Sequence, residues 1–251
     1  MKKGSWHRNN IFLLAAIVAL TSCLGGHAFM EHIYGFTATS KGGTRFGSAD
    51  KIQFPFDGSP QPDGLPVPWQ SRVIIGKLQA QVVNDPAHGK AIRMTCDRSH
   101  FVLWYEAVPF DPRKYPILSW SWKAIALPAR GDTRRHTAAP IIGDNRNDKA
   151  LQIMIGFEGD YVLNYVWDSN APVGYECDEW SPVATVKTTV VDSGTDQLNQ
   201  WHDHRINVLE DYQRRYGKPP GKVLGITLSA NTNNTADRGE GLVGNISASV
   251  K

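Results

Sequence analysis

The amino-acid sequence predicts an all-β fold of the sandwich or barrel type with one short helix. Three observations support this fold class. Short apolar and β-branched runs recur along the chain, and clusters of Gly, Pro, Asn and Asp separate them. A single segment shows helical periodicity, and strands and helices do not alternate as they do in a parallel α/β sheet.

The predicted strands begin at Ile52 and continue to the end of the chain. Asp85–Gly89 is a predicted turn between two of them, because proline fixes φ and glycine accepts positive φ. A second break falls at Asp111–Pro116, where two prolines interrupt the apolar pattern. The strands are predicted over residues 72–83, 90–96, 101–106, 117–125, 150–157, 161–167, 183–191, 222–229 and 242–250.

The one predicted helix covers Asn207–Tyr216, near the C-terminal third of the chain. Its apolar residues fall on roughly one helical face. Gly217 can end the helix in the left-handed conformation, and Pro219 and Pro220 prevent any continuation.

The first 23 residues have the pattern of a secretory signal. A basic start is followed by an apolar run over Ile11–Leu20, and small residues lead to Cys23. The apolar run is about half of the roughly 20 residues that a membrane-spanning helix requires. We therefore expect the rest of the chain to function outside the cytoplasm.

Two cleavage sites compete at the end of this signal. Leu20-Thr21-Ser22-Cys23 resembles a lipobox, in which Cys23 is acylated and becomes the only link to a membrane. Cleavage after Ala28 would instead release a free secreted protein. The lipobox is favoured, so we expect a periplasmic or outer-membrane lipoprotein. Leu24 after the cysteine favours the outer membrane, because it is not the aspartate that retains many lipoproteins at the inner membrane.

The chain is thus expected to comprise a signal peptide (1–23), a flexible Gly/Ser/Thr-rich lead-in (24–50) and one β-sandwich domain (51–251). The whole chain contains 27 Lys and Arg against 24 Asp and Glu, but Lys2, Lys3 and Arg8 belong to the signal. The mature domain is therefore close to neutral. This balance argues against a nucleic-acid partner, which requires a concentrated basic face.

Cys96 and Cys177 are the two cysteines outside the signal. In an oxidising compartment they are candidates for one disulfide. The alternative is two separate thiols, of which at least one is buried. Neither residue lies in a CxxC or Cys/His cluster, so structural zinc is not indicated at either position.

The second half of the chain carries a recognisable order of motifs, including Trp120-Ser-Trp122-Lys123 and Asn207-Val208-x-x-Asp211-Tyr212. From about Phe54 onward, the sequence resembles a family of secreted bacterial proteins called domain of unknown function 3047. The resemblance implies a galactose-binding-like jelly roll, that is, a jelly-roll-like antiparallel β-sandwich. It implies no particular activity, and a fold alone does not give one.

Aromatic residues are the first candidates for ligand binding. Trp120 and Trp122 lie on one side of a predicted strand, which suits a sandwich core better than a sugar-stacking platform. Trp167, Tyr165 and Trp201 are candidate ligand-binding residues, because flat rings match the apolar faces of sugars.

Two polar loops are candidate cation sites. Asp144–Asp148 places several oxygen ligands close together, as Ca²⁺ requires, although it does not match an EF-hand loop. A solvated loop, or a turn fixed by Asp148, is the alternative. Asn231 and Asn233 stand where the resembled family tends to have acidic residues, so calcium at that loop would be held with less charge. Asp148, Asn231 and Asn233 are therefore candidate ligand-binding residues.

His202 and His204 project to the same side of an extended strand, which is adequate geometry for two metal ligands. No third ligand is identifiable from the sequence, so a metal remains unassigned. The chain has no G-x-S-x-G, H-E-x-x-H or P-loop motif, and no catalytic residue is indicated.

The first hypothesis is an exported envelope protein that binds a glycan or another envelope component without catalysis. One alternative is a carbohydrate-active enzyme with a carboxylate pair about 5 to 10 Å apart. Another is an accessory subunit that binds an envelope protein through a sheet face or edge. An exposed aromatic row would favour binding, and a large apolar patch without a groove would favour the subunit.

Overall fold

The computed structural model describes residues 46–105, 109–135 and 145–251. Over these residues, fourteen strands form two seven-stranded sheets that enclose one main core. The first sheet contains β1 (Phe46–Ser48), β2 (Lys51–Gln53), β4 (Ala80–Asp85), β5 (Gly89–Asp97), β7 (Ile117–Ala126), β12 (His202–Asn207) and β14 (Arg238–Ser249). The second contains β3 (Trp69–Ile75), β6 (His100–Tyr105), β8 (Lys149–Phe157), β9 (Tyr161–Asp168), β10 (Glu176–Glu179), β11 (Thr185–Ser193) and β13 (Val223–Asn231). The predicted jelly-roll-like β-sandwich is confirmed.

Strand β14 is the centre of the first sheet. One of its sides pairs with β7, and the other pairs with β5 along its first part and with β2 along its last residues. β4 pairs with β5, β1 pairs with β2, and β12 pairs with β7 as an edge strand. The path β4-β5-β14-β7-β12 therefore forms a continuous surface.

The second sheet has the order β10-β11-β9-β8-β13-β6-β3. Its strand pairs are antiparallel except β9 and β11, which run parallel. After β9 the chain first forms β10 at the outer edge and then returns as β11 between the two. This excursion gives an otherwise antiparallel sandwich its one parallel pair among the described strands.

The helix α1 (Val208–Tyr216) follows directly after β12, as predicted. The Asn207 side chain accepts a hydrogen bond from the Glu210 amide at its start, and Gly217 ends it with a φ of 66°. Tyr212 is buried against Phe157. The hydroxyl of Tyr165 donates to Asp211 over 2.7 Å, so the helix is fixed to the second sheet.

Large aromatic side chains fill the space between the sheets. Trp120 and Trp122 are buried, which confirms the prediction that they belong to the core. The other large side chains of this core include Trp69, Trp167, Tyr105, Tyr165, Phe54, Phe101 and Phe157.

Two sequence predictions concern the N-terminal part. The predicted lead-in over 24–50 is wrong at its C-terminal end, because β1 at Phe46–Ser48 pairs with β2 and belongs to the first sheet. The signal peptide, Cys23 and Ala28 lie outside the described residues. Among the helices that are described, none is long and apolar enough to cross a membrane.

Candidate functional site

The outward face of the first sheet, here called the polar face, is set by the alternation of side chains along β7. Leu118, Trp120 and Trp122 point into the core, so Ser119, Ser121 and Lys123 point outward. This alternation places hydroxyl and ammonium groups on the surface directly behind the buried indoles.

The neighbouring strands add further polar groups to this face. Asp203 lies opposite Ser121, and Arg205 lies opposite Ser119. The Ser121 hydroxyl donates to Asp203 over 2.6 Å. On the other side of β7, the small residue Gly244 lies opposite Ser121 and leaves the sheet surface uncovered at that point.

Two adjoining clefts lie on the polar face, with volumes of about 420 and 410 Å³. Both volumes are within the range of about 300 to 1,000 Å³ that is typical of ligand sites. The two clefts share Lys51, Asn245 and Ser247. The first is also lined by Ser119, Trp120, Ser121, Asp203, His204, Arg205, Ser249 and Lys251, and the second by Gln53, Phe54, Pro55, Phe56, Asp57, His88, Gly89, Lys90 and Ile246.

A network around Asp85 crosses the polar face. Its carboxylate accepts hydrogen bonds from the Lys123 ammonium and the Trp201 indole, each over 3.1 Å. It also accepts the amides of Ala87 and His88 in the turn that follows. The predicted turn at Asp85–Gly89 is therefore present, and Asp85 fixes it.

Two loops meet above the polar face beside this network. His88 lies in the turn between β4 and β5, and Trp201 lies directly before β12. Their rings stack with centroids 4.2 Å apart. Side chains from these two loops therefore border one end of the polar face.

The Asp85 carboxylate remains ionised at physiological pH. Partial burial acts to raise its pKa, but the Ala87 amide, Lys123, Trp201 and the His88 amide outweigh that effect and lower the pKa to about 2. The carboxylate therefore acts as a permanent acceptor for the groups that shape this face.

Charged groups of both signs line the clefts, with more cations than carboxylates. The cations are Lys51, Lys90, Arg205 and Lys251, and the carboxylates are those of Asp57 and Asp203. Within the described part of the chain, no carboxylate forms an ion pair with Lys51, Lys90 or Arg205. One carboxylate oxygen of Asp203 already accepts a hydrogen bond from the Ser121 hydroxyl. The clefts thus offer hydroxyl, amide and unpaired cationic groups to a ligand.

A second group of side chains, here called the imidazole cluster, consists of Asp192, His202 and His204. His202 Nδ1 and Asp192 Oδ1 are 2.7 Å apart, as are His204 Nε2 and Asp192 Oδ2. The Trp122 indole also donates to Asp192 Oδ2 over 2.6 Å. The two histidines do project to the same side of a strand, as the sequence predicted, and Asp192 is the third group that the sequence did not reveal.

The three aromatic residues predicted to bind a ligand lie in two different environments. Trp201 is half-buried on the polar face, where its ring stacks on His88. Tyr165 and Trp167 are each only 1% exposed, so their prediction as ligand-binding residues is wrong in this structure. Both point into the core from β9, which is covered on both of its faces.

The predicted polar loops lie against each other. The Asp148 carboxylate accepts hydrogen bonds from the amides of Asn234 and Thr235, and also from the Thr235 hydroxyl. Asn231 is buried and accepts the Asn233 amide, and Asn233 is half-buried. These groups join two loops, and calcium binding there stays a prediction. Residues 136–144 lie outside the described part.

The candidate disulfide between Cys96 and Cys177 is not formed, and both thiols are free. Cys96 is buried on β5 in the first sheet, where its sulfur contacts Ser99, whereas Cys177 lies on β10 at the edge of the second sheet. The structure matches the alternative of two separate thiols. Burial raises the pKa of Cys177 to about 11, and nearby Glu179 adds to the effect.

The outward face of the second sheet differs from the polar face. Its central residues, Gln152, Asn164, Thr188 and Ser229, are buried. The Asn164 amide donates to Gln152 and Thr188 over 3.3 and 3.1 Å. Most of these polar groups are hydrogen-bonded to one another, although Asn164 Oδ1 has no partner among the described residues, and all four side chains are buried rather than open to a ligand.

Sequence reasoning missed Ser119, Ser121, Arg205 and Asn245. Serine and arginine carry no motif at these spacings. The available signal was the period-two alternation on either side of Trp120 and Trp122, which requires Ser119, Ser121 and Lys123 to face outward.

Several solved structures resemble the fold at low identity. The family 11 carbohydrate-binding module from Clostridium thermocellum, solved with a β-1,3-1,4-mixed-linked tetrasaccharide, is 15% identical over 80% of this chain and 96% of its own, with a TM-score of 0.38. The glycoside hydrolase domain of Endo-D from Streptococcus pneumoniae R6 is 11% identical over 73% of this chain, with a TM-score of 0.38. This chain spans 22% of the length of that structure.

The sequence itself identifies the family. None of the curated proteins matches the chain. Residues 68–247, which are well over half of the 251 residues, match the family described as "Protein of unknown function (DUF3047)". This stretch includes both of the motifs around Trp120 and Asp211. The chain therefore belongs to the DUF3047 family.

Proposed function

We propose that this protein binds an acidic oligosaccharide on the polar face without catalysing its cleavage. The observation that carries the proposal is the pair of adjoining clefts, which lie on the polar face and share Lys51, Asn245 and Ser247. A glycan chain is an extended ligand with many hydroxyl groups. An elongated surface lined by hydroxyl and amide side chains can form hydrogen bonds with several sugar units in succession.

The unpaired cations support an acidic ligand. Arg205 lies beside Ser119 and Ser121, and Lys51 and Lys90 line the neighbouring cleft. Hydrogen bonds from a cationic donor to a carboxylate are about twice as strong as those between neutral groups. A uronate or another anionic sugar would therefore be bound more tightly than a neutral sugar of the same size.

The placement of the carboxylates supports binding rather than hydrolysis. Asp203 lines the first cleft and Asp57 lines the second, so these two carboxyl groups do not line a common cleft. Glycosidases use two carboxyl groups roughly 5 to 9.5 Å apart that flank the same glycosidic bond.

Two further carboxylates on this face, Asp85 and Glu240, are unsuited to act as a general acid. Partial burial acts to raise the pKa of Glu240, but Arg93 and Arg238 outweigh it and lower the pKa. The pKa of Asp85 is lowered as well. A general acid requires the opposite shift, because it must carry a proton near neutral pH.

We further propose that binding takes place outside the cytoplasm, on a protein anchored through Cys23. The basic start, the short apolar run and the residues Leu20–Cys23 support export and lipidation. An acyl anchor would hold the polar face close to the polysaccharides of the cell envelope.

The decisive experiment is a glycan array that presents uronate-containing, sulfated and neutral oligosaccharides to the full-length protein, once with calcium and once with chelator. We expect binding to acidic chains in both conditions. Arg205→Ala should weaken binding about tenfold or more, which corresponds to loss of one charged hydrogen bond. Lys77→Ala is the matched control, because Lys77 is an exposed lysine that lines neither cleft.

Any of five results would contradict the proposal. Equal binding of neutral and acidic chains would remove the acidic specificity, and equal loss with both variants would place the contact elsewhere. Release of shortened oligosaccharides would favour the carbohydrate-active enzyme. An array without any hit would favour an envelope protein as the partner, and loss of a hit only in chelator would assign calcium a role.

A further inference from the structure

The imidazole cluster lies at the seam between the two sheets. His202 and His204 are on β12, opposite Trp122 and Trp120, and therefore point inward with these indoles. Asp192 is on β11 of the second sheet. Three side chains from two sheets thus converge at one edge of the sandwich.

A bulge in β11 directs Asp192 to this place. Val186 and Val190 lie opposite Val162 and Val166, on the outward side of the second sheet. The register then shifts between Val190 and Asp192, so that Asp192 lies opposite the inward-pointing Trp167. Without the extra residue, Asp192 would share the outward side with Val190. Bulges of this kind commonly re-aim side chains beside functional sites.

The surrounding indoles fix the orientation of both imidazoles. The ring of His204 stacks on Trp120 with a centroid distance of 4.9 Å and an interplanar angle of 24°. The ring of His202 lies 4.6 Å from Trp167 at 31°. Donor atoms of Asp192, His202 and His204 all lie within 4.8 Å of one another. The donors are therefore held together before any ligand binds.

The cluster also has a charge that no fixed cation balances. Asp192 is 13% exposed, and among the described residues no lysine or arginine forms an ion pair with it. Its hydrogen-bond partners are Trp122, His202 and His204. The two histidine side chains are 16% exposed, so solvent and small ions reach the cluster from outside.

We propose that Asp192, His202 and His204 bind a divalent transition-metal ion such as Zn²⁺. Two imidazole nitrogens and one carboxylate are a common ligand set for Zn²⁺, at about 2.0 to 2.2 Å from the ion. His202 coordinates through Nδ1 and His204 through Nε2, the atoms that now face the carboxylate. The ligand set favours such a metal over Ca²⁺, which takes oxygen ligands.

Trp122 has a supporting role in this site. Its indole N–H donates to Asp192 Oδ2. Hydrogen bonds of this kind orient a metal-binding carboxylate and tune its affinity. The site has three protein ligands and faces solvent, so water or an external ligand completes the coordination of the ion.

The test begins with tag-free, full-length protein that has been treated with chelator and dialysed. Calorimetric titration with Zn²⁺ should give one ion per chain. Co²⁺ should produce visible absorption bands of a low-coordinate site, and it should quench tryptophan fluorescence because the rings of Trp120, Trp122 and Trp167 contact the histidines.

The variants His202→Asn and His204→Gln should each lower Zn²⁺ affinity by about a hundredfold or more, since even supporting residues of metal sites change affinity by about 10- to 100-fold. His88→Ala is the matched control, because His88 lies on the polar face and should leave Zn²⁺ affinity unchanged. Circular dichroism verifies that each variant is folded.

Absence of Zn²⁺ and Co²⁺ binding by the unmodified protein would overturn the proposal. So would binding that survives unchanged in folded His202→Asn and His204→Gln proteins. If both variants fail to fold, X-ray absorption of the Zn²⁺-loaded unmodified protein decides. Two imidazole nitrogens and carboxylate oxygen around zinc would support the site, and sulfur ligands or oxygen alone would refute it.

Discussion

Asp85 and Asp192 both accept a hydrogen bond from a tryptophan indole, yet their other partners differ. Asp85 lies on the polar face, and its carboxylate accepts hydrogen bonds from Lys123, from Trp201 and from two backbone amides of its own turn. One ammonium group is therefore permanently opposed to one carboxylate. This network is complete as it stands, and it shapes the surface without needing anything from solution.

Asp192 lies at the seam between the sheets and has two imidazoles in place of the ammonium group. An imidazole can donate a hydrogen bond, and its nitrogen can also bind a metal ion, which an ammonium group cannot do. The groups around Asp192 can therefore share a metal ion from solution with the carboxylate. The comparison shows that similar residue types form a structural network where a lysine is present and a candidate metal site where it is absent.

The comparison predicts its largest effect in Asp192→Ala. The variant leaves the completely buried Trp122 indole without an acceptor and frees both imidazoles. We expect a loss of about 3 kcal/mol in the free energy of unfolding, measured by urea titration. Asp85→Ala should cost less, because its partner Trp201 is only half-buried and water can replace the lost acceptor. If Asp85→Ala lost as much free energy of unfolding as Asp192→Ala, or more, the proposed difference between the two carboxylates would be refuted.

The pH dependence of Asp85 gives an intermediate effect. Its pKa in the folded protein is about 2, below the ordinary value of 3.8. A lowered pKa means that the charged form stabilises the fold above about pH 4 and loses this contribution as the pH falls to about 2. The difference in urea midpoint between the unmodified protein and Asp85→Asn should therefore be constant above pH 4 and shrink toward pH 2. A difference that persists unchanged at pH 2 would contradict the role assigned to the charge.

The smallest expected effect belongs to His88→Ala. This variant removes a ring stack with Trp201 and a contact with Asn245 at the rim of the second cleft. Half-exposed aromatic contacts of this kind contribute about 0.5 kcal/mol. We expect little change in urea unfolding and a measurable loss of oligosaccharide affinity. A large loss of stability together with intact glycan binding would contradict this prediction, because it would give His88 a structural role instead of a role in binding.

Local sequence signals predicted a large part of the fold. The helix followed from the apolar residues on one face, and its C-terminal end followed from Gly217, which adopts the left-handed conformation. Period-two spacing identified Trp120 and Trp122 as core residues. Such features depend on residues close together in the chain, so one sequence is sufficient to identify them.

The candidate sites were less accessible to prediction. Tyr165 and Trp167 were misassigned because β9 is buried on nearly its whole length, and alternation then does not reveal which face is the core. Asp192 was missed because a bulge changes the side of the sheet that it occupies, and no local residue type announces that bulge. The meeting of Asp192 with His202 and His204 depends on the packing of the two sheets.

The position of β12 at the edge of the first sheet has a consequence for self-association. Along its free side, an edge strand presents backbone amides and carbonyls that can pair with another chain. Asp203 and Arg205 place charges on one face of β12, while His202 and His204 tie its other face to Asp192. The imidazole cluster therefore holds this edge strand against the second sheet of its own sandwich, and loss of the cluster is expected to favour pairing of β12 with another chain.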